Sequence, residues 1–186
     1  LILLASSSET RAAILREAGV EFVQKGVDFE EELLFERYSS PKSLVYAVAR
    51  GKLNRAVELF GNRPIIVADT VVAVGETVLT KASNEKEARK FLSLQSGSRV
   101  EILTATLFYS KRALFEDLSV TIYRFERFEE EEIERYIRSG RWRGKAGACM
   151  VEGFCKKYIK NVSGFESCAR GLSIEKLLPF LKYADS

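Results

Sequence analysis

No histidine occurs anywhere in the 186-residue chain. That absence removes Ser-His-Asp and Cys-His triads and every metal site built on imidazole. Acid–base chemistry falls to Asp, Glu, Lys or Tyr, and a bound metal must be an oxygen-liking ion such as Mg2+ or Mn2+. Cysteine is scarce: Cys149, Cys155 and Cys168 make an odd count without a CxxC pair. This argues against a disulfide framework or a zinc site and for a reducing compartment. No apolar stretch approaches the roughly 20 residues of a membrane span. The opening LILLA is too short for a signal peptide and lacks a small-residue cleavage site. A strong excess of one charge is also missing, with 29 basic against 26 acidic residues and a net charge of +3. So mild a balance does not imply nucleic acid, but it suits a small polyanion if the basic groups converge. Repeats and low-complexity tracts are absent. A hydrophobic share of 46% and a charged share of 30% leave a soluble globular chain, long enough for one domain with a substantial core.

What is present reads as alternating strands and helices. Residues 2–5 form a short buried strand, and Ala12, Ile14, Leu15 and Ala18 give the next segment helical spacing, stopped by Gly19. Ser6 with Glu9 has the spacing of a capping box. VDFEEEL (27–33) is an acidic segment, and a helix runs from Pro41 towards Leu59. PIIVADTVVAVGETVLTKA (64–82) is an apolar strand, a Gly-Glu turn and a second short strand. A helix over 84–94 and two strands, RVEILTATLFYS and LSVTIYRFERF, follow, the strands as antiparallel neighbours. FEEEEIERYIRSG is a helix, 146–165 is irregular or strand-like, and Ser173 caps a last helix kinked at Pro179. The fold class expected is α/β, with a mixed sheet and flanking helices in a single domain over 1–186.

Several positions carry chemistry. Asp69 lies in the apolar run IIVADTVVAV, where an unpaired carboxylate costs several kcal/mol (roughly the penalty of any buried charge) unless paired or metal-bound. It is an outward position on an edge strand, a structural ion pair or a site acid. In SSSETR, Ser6, Ser8 and Arg11 either cap a helix beside a solvated arginine or line a phosphate cradle on its N-terminus. Lys52 in ARGKLNR and Lys81 in VLTKAS read alone as surface lysines. Glu30, Glu31 and Glu32 are a solvated run or the source of one Mg2+ ligand, and GRWRGKAGA (140–148) is a basic loop or a flexible connection. Together they outline an enzyme that grips a polyphosphate with basic groups and activates water with a carboxylate.

In this order the motifs resemble the Maf family of nucleoside triphosphate pyrophosphatases. LASSSETR resembles LASxSPRR through Leu4, Ala5, Ser6, Ser8 and Arg11, and VDFEE resembles an acidic D-x-D-E stretch ending at Glu31. VARGK resembles LAxxKA through Ala49 and Lys52, IIVADTVV matches ADTVV at Asp69 and Thr70, and VLTKA resembles ILGKP through Leu79 and Lys81. LQSG, GKAGACMVEG and NVSGF…GLS resemble LSG, GKAGAYxIQG and IxGxY…VGLP. The departures are Glu9-Thr10 for Pro-Arg, Ala82 for proline, SGSRV for Ser-Gly-His, Val151-Glu152 for Ile-Gln, and Ser173 for the final proline.

The resemblance implies an elongated, cleft, mixed α/β fold related to the inosine triphosphate pyrophosphatases, in a cytoplasmic enzyme dependent on Mg2+ or Mn2+ and often homodimeric. It implies hydrolysis of a nucleoside triphosphate to monophosphate and pyrophosphate. Asp69 would be the general base and share the metal with Glu31; Ser6, Ser8, Arg11, Lys52 and Lys81 would bind phosphate; Thr10, Thr70 and Glu152 would set base choice. Asp69-Thr70 resembles the branch acting on dTTP, UTP and modified pyrimidine nucleotides, whereas Glu152 resembles the 7-methyl-GTP branch. A low-turnover, nucleotide-binding regulator of septum formation is the second reading, motivated by the departures. Stable nucleic-acid binding and membrane contact are not expected.

Overall fold

The first apolar run folds as strand β1 (Ile2–Leu4), buried at every position, in a computed structural model that describes residues 1–61 and 63–184 apart from the side chains of Glu32 and Leu33. β1 pairs in parallel with β2 (Phe22–Gln24) and with β3 (Ile65–Val74). Parallel neighbours need crossover connections. Helix α1 (Glu9–Glu17) supplies the first, and α2 (Glu32–Arg37) with α3 (Pro41–Phe60) the second. A strand in such a setting is covered on both faces, so β3 is apolar at every position but Asp69 and Thr70, and only Thr70 and Val74 of it escape burial.

β3 turns at Gly75-Glu76 into the antiparallel β4 (Thr77–Leu79), with Val74 opposite Thr77. Gly75 has φ 58°, the left-handed backbone that a two-residue hairpin turn demands. Helix α4 (Glu85–Gln95) is capped by Asn84, whose side chain accepts the Glu87 N–H at 2.9 Å. β5 (Arg99–Tyr109) and β6 (Leu114–Phe125) are sheet neighbours joined by a turn in which Ser110 N–H donates to Ala113 O at 2.8 Å. So short a link joins antiparallel strands only. Then come α5 (Glu130–Arg138), a 3-10 turn (Phe154–Tyr158), β7 (Ile159–Ser163) antiparallel to β6, α6 (Glu166–Ala169), α7 (Ile174–Leu177) and a last 3-10 turn (Leu178–Tyr183). The strand order is β2-β1-β3-β5-β6-β7 with β4 on β3, a mixed, twisted sheet flanked by helices.

The chain divides into two compact units, the first comprising Leu1–Thr70, Leu103–Val120 and the segment from Phe165 onward, the second Val71–Ile102 and Thr121–Gly164. The core of the first gathers Ile2 and Leu4 of β1, Ala12, Ile14 and Leu15 of α1, Ile66 and Ala68 of β3, Phe108, Leu172, Ile174 and Leu177. The second is built on rings. Phe128 lies 5.5 Å from Phe125, 5.4 Å from Phe154 and 4.7 Å from Tyr158, and Tyr136 stacks on Phe154 at 4.5 Å.

Three details depart from the sequence expectations. VDFEEEL leads into helix α2, too short to show a helical period. Pro179 stands in the first turn of the last 3-10 segment, after α7 has ended, and Ser173 precedes α7 without a side-chain cap. The cysteines differ most: Cys149 and Cys155 are bonded as a disulfide, their Cα atoms 6.7 Å apart. The chain doubles back between them, where Gly153 N–H donates to Met150 O at 2.9 Å. An odd count of three with no CxxC pair argues against any bridge, and which cysteines lie close in space cannot be read from their order, so the sequence did not reveal it.

Candidate active site

The SSSETR turn leaves the end of β1 and enters α1, but the capping box expected from Ser6 and Glu9 does not form. Ser8 is the N-cap, with φ −74° and ψ 114°, and its Oγ accepts the Arg11 N–H at 3.4 Å. The chain is still extended at Ser8, so the helix starts two residues beyond the point a Ser6 cap requires. Ser6 is thereby free to bond elsewhere, and its Oγ accepts Ser8 N–H at 3.2 Å and Arg11 Nη1 at 3.2 Å. Glu9 instead faces Arg16 at the exposed side of the helix, 3.5 Å away.

Arg11 is the anchor of this turn. Its Nε donates to Gly171 O at 2.8 Å and its Nη2 to Thr70 Oγ1 at 3.2 Å. Thr104 Oγ1 donates to Cys168 O at 2.8 Å, and Thr70 and Thr104 hydroxyls are 2.8 Å apart. The Thr104 proton being committed to the carbonyl, Thr70 must be the donor between the hydroxyls. The relay therefore runs one way, from Arg11 through Thr70 and Thr104 to Cys168 O. Desolvation draws the Arg11 guanidinium below its ordinary value, while Asp69 and Glu31 pull it back up; an arginine starts so high that it stays charged. Gly171 is required where it stands. Its φ is 104°, and a Cβ would lie 3.3 Å from both Arg11 Nε and Thr70 Oγ1. Gln24, from β2, ties the turn from the other side, its Nε2 donating to Ser6 O at 3.0 Å. Thr10 lies half-buried at the second position of α1.

Asp69 follows from the same strand. Alternation along β3 sends Ala68 and Thr70 towards α1 and Asp69 to the opposite face, where α3 packs. Asp69 is 8% exposed, and its Oδ1 accepts Lys52 Nζ at 2.7 Å. Lys52 also pairs with Glu31 Oε1 at 2.5 Å, so one ammonium bridges two carboxylates. Burial pushes the Asp69 carboxyl above its usual range; Lys52 and Arg11 lower it, and the Glu31 charge raises it further. Replacing Glu31 by Gln removes that last contribution, so the acidic limb of the kcat/KM profile is expected to move to lower pH. A limb that stays put or moves up in a pH–rate series contradicts this.

Glu31 reaches Lys52 because of a packing detail two residues earlier. A Cβ on Gly51 of α3 would lie 2.1 Å from Phe29 Cζ, so the ring is seated on the bare helix backbone one residue before Lys52. Glycine inside a helix costs about 1 kcal/mol against alanine, and by propensity alone Gly51→Ala stabilises. The seat predicts the opposite for function: the ring is evicted, Glu31 leaves Lys52, and kcat/KM falls by about tenfold, the loss of roughly one hydrogen bond to a charged group. Unchanged kinetics with a raised Tm would show that the seat is irrelevant.

The remaining candidates lie in the second unit. Lys81 is exposed, and its backbone bridges Ala146 in an antiparallel pairing, with Gly147 N–H donating to Thr80 O at 3.0 Å. VLTKA and GKAG, two separate signals in the sequence, are thus one piece of structure. Gln95 holds it, its Nε2 donating to Gly147 O at 2.6 Å. Glu152 is exposed in the turn between Cys149 and Cys155 and lines a cavity of about 750 Å³ with Tyr136, Arg141, Lys145, Met150 and Phe154.

Ser6, Ser8, Arg11 and Thr70 therefore form one bonded group of the first unit and Glu31, Lys52 and Asp69 another, near enough for the charges of Asp69 and Glu31 to act on Arg11. Sequence reasoning missed Gln24, Gly51, Thr104 and Gly171, which position them; the one signal that could have found any of these is the oddity of a glycine in mid-helix at Gly51. Glu30 is exposed and faces solvent, and the side chain of Glu32 lies outside the described residues. Among the described residues no three acidic or sulfur ligands cluster. Glu31 and Asp69, two hard oxygen donors on either side of one cation, nevertheless fit an ion of the Mg2+ kind, which takes one or two carboxylates and completes its shell with water and substrate phosphates.

Comparison with known proteins bears on this arrangement. The sequence model of Maf, described as Maf-like protein, matches residues 1–184. A nucleoside triphosphate pyrophosphatase of a Nitratiruptor species is 54% identical over 183 residues, covering 98% of this chain and 99% of that protein. One from Helicobacter pylori is 42% identical over 182 residues, covering 97% and 95%. One from Campylobacter jejuni subsp. doylei is 35% identical over 185 residues, covering 97% and 100%.

Proposed function

The chain belongs to the Maf family, and from that membership we propose the course of its reaction: hydrolysis of the α–β phosphoanhydride of dTTP and UTP, and of modified pyrimidine nucleotides, to nucleoside monophosphate and pyrophosphate. The coarse activity, nucleoside triphosphate pyrophosphatase, is that of the family. The pyrimidine preference and the residue roles are our reading. The observation that carries it is Asp69, buried on β3 and held 2.7 Å from Lys52.

Asp69 takes a proton from a water as that water attacks the α-phosphorus. A new P–O bond forms, the α–β bridging bond breaks, and pyrophosphate leaves with the bonding pair. Arg11 has five N–H donors and spends three on Gly171, Ser6 and Thr70, which leaves two for a phosphate. In the bonds described, Ser6 and Ser8 are acceptors, so each keeps its hydroxyl proton to donate. The α1 N-terminus adds its own partial positive charge. Lys52 directs one ammonium at the two carboxylates and retains donor capacity for charge developing on the leaving group. A Mg2+ or Mn2+ ion held by Glu31 and Asp69 would supply charge neutralisation on the phosphates. Lys81 is assigned to phosphate, and Thr10, Thr70 and Glu152 to base choice, on the resemblance.

One observation favours a second reading. Glu152 is exposed at a cavity wall beside Tyr136 and Phe154, and an ionised carboxylate only accepts hydrogen bonds; that suits the N1–H and N2–H edge of 7-methylguanine. Pyrophosphate release across dTTP, UTP, ATP, GTP and 7-methyl-GTP decides between them. The highest kcat/KM on dTTP and UTP is expected, preference for 7-methyl-GTP overturns the pyrimidine assignment, and binding without release points to the regulator. No helix among the described residues is long and apolar enough to cross a membrane. The cytoplasm is the proposed location and a homodimer the proposed assembly.

A further inference from the structure

We propose that Cys149 and Cys155 are a redox modification site, a dithiol/disulfide pair whose state sets the mobility of the cavity wall that carries Glu152. Met150, Glu152, Gly153 and Phe154 all line that cavity, and all fall between the two bonded cysteines or directly beside the second. The bridge therefore encloses the stretch of the wall that carries Glu152, while Tyr136, Arg141 and Lys145 reach the cavity from outside it.

The two ends of the enclosed segment are fixed by different means. Cys155 is fully buried and begins beside Phe154, whose ring stacks on Tyr136 at 4.5 Å and meets Phe128 edge-on at 5.4 Å. Cys149 is only half-buried, and the residue before it, Ala148, has a positive φ of 62°, a left-handed conformation that an L-residue holds only when its surroundings compel it. Ala148 itself is held on both sides, its N–H donating to Lys145 O at 3.0 Å and its carbonyl accepting Tyr136 Oη at 3.1 Å, so the disulfide is the restraint that carries this fixed end on to Cys149 and the loop beyond it. Between the ends, the Gly153 to Met150 turn is the principal backbone bond inside the loop. Without the bridge, the aromatic anchor at Phe154 and the hydrogen bonds of Ala148 remain, while the turn between them that carries Glu152 loses the covalent tie between its ends.

The exposed edge also fixes the chemistry. The thiolate of a dithiol reductant attacks Cys149 Sγ, the accessible sulfur; the S–S bond breaks and Cys155 leaves as a thiolate that takes a proton. The second thiol of the reductant then displaces Cys149 from the mixed disulfide, and it too is protonated. The reductant is oxidised to its own disulfide by two electrons while the protein gains two thiols. Closing a loop this short removes conformational freedom worth up to about fiftyfold in the loop-entropy account. The segment is therefore expected to open roughly tenfold or more often once reduced.

That reduction changes base discrimination rests on the reading of Glu152 above; that it loosens the loop does not. The test uses the full chain, oxidised or treated with a dithiol, together with Cys149→Ser. Thiol titration of the unfolded oxidised protein should find one thiol, from Cys168, and three after reduction; three before reduction in protein purified under air, and still three after mild oxidation, overturns the pair. Amide exchange over 150–154 should rise about tenfold on reduction, with Cys149→Ser already at the raised rate and indifferent to dithiol. Equal exchange in all states overturns the clamp. The ratio of kcat/KM for UTP to that for 7-methyl-GTP should shift severalfold on reduction and equally in Cys149→Ser, with Glu152→Gln as the reference. If Glu152→Gln leaves the ratio unmoved, the base-reading role falls and the exchange result alone judges the clamp. If Glu152→Gln moves it and reduction does not, control of specificity by the bridge is overturned.

Discussion

Asp69→Asn is expected to lower kcat for pyrophosphate release by about 10³-fold, within the usual range for loss of a general base, while the protein stays at least as stable as before. The two halves of that result have one cause. Burial raises the Asp69 carboxyl in the folded state above its value in the unfolded chain. A carboxylate shifted in that direction contributes stability at low pH, where it is protonated, and that contribution is lost as pH rises through the folded value. At neutral pH the ionised group is thus held at a cost that favours catalysis. Asparagine, a neutral isostere, removes the cost and the chemistry together, and Lys52 keeps Glu31 as a partner. Calorimetry beside single-turnover kinetics separates the outcomes: a variant with wild-type turnover disqualifies Asp69 as the base, and one that is inactive because it is unfolded leaves a lowered Tm.

Lys52→Met is expected to be the most damaging single change to stability. It takes the cation from between Glu31 and Asp69, whose side chains are 36% and 12% exposed, and leaves two carboxylates facing each other. Removing one partner of a largely buried ion pair costs about 3 kcal/mol or more, or roughly 6 to 12 °C in Tm for a chain of this size. Lys52 is among the influences that hold the Asp69 carboxyl down, so in the variant it rises further. The deficit should therefore be greatest at neutral and alkaline pH and shrink on acidification, as Asp69 takes up a proton. A Tm deficit independent of pH would show that Lys52 acts through packing of its stem and not through its charge.

Much of the first unit could be read in advance, for physical reasons that differ by residue. β1 and α1, and in the second unit the turn from β3 into β4, are announced by local patterns, an apolar run, helical spacing and a Gly-Glu turn, and local patterns survive tertiary context. Asp69 was conspicuous because a charge in an apolar strand demands an explanation. The cap was misplaced because Ser6 and Ser8 are equally good capping residues and only the extended backbone at Ser8 chooses between them. Gly171 and Gln24 were invisible: each touches the turn across the fold, Gly171 at a separation of 160 residues from Arg11, and no periodicity encodes such a contact. The seat of Phe29 on Gly51 is legible only as an anomaly, a glycine where a helix prefers alanine. The disulfide escaped because an odd count at an unfamiliar spacing resembles three ordinary thiols.

β3 delivers its chemistry on a count of two. Thr70 meets Arg11 on one side of the strand while Asp69 meets Lys52 on the other, so neighbouring residues serve different helices. Loss or gain of one residue upstream in that strand would exchange their faces, offering a carboxylate to the apolar cluster around Ala12 and Leu15 and a methyl group to the ammonium. Point substitutions here are graded injuries, whereas a frame slip is a complete one. Variation in length is therefore expected in this chain at its surface turns and not between Ile65 and Thr70, and random insertion libraries scored for folding should be empty across that stretch.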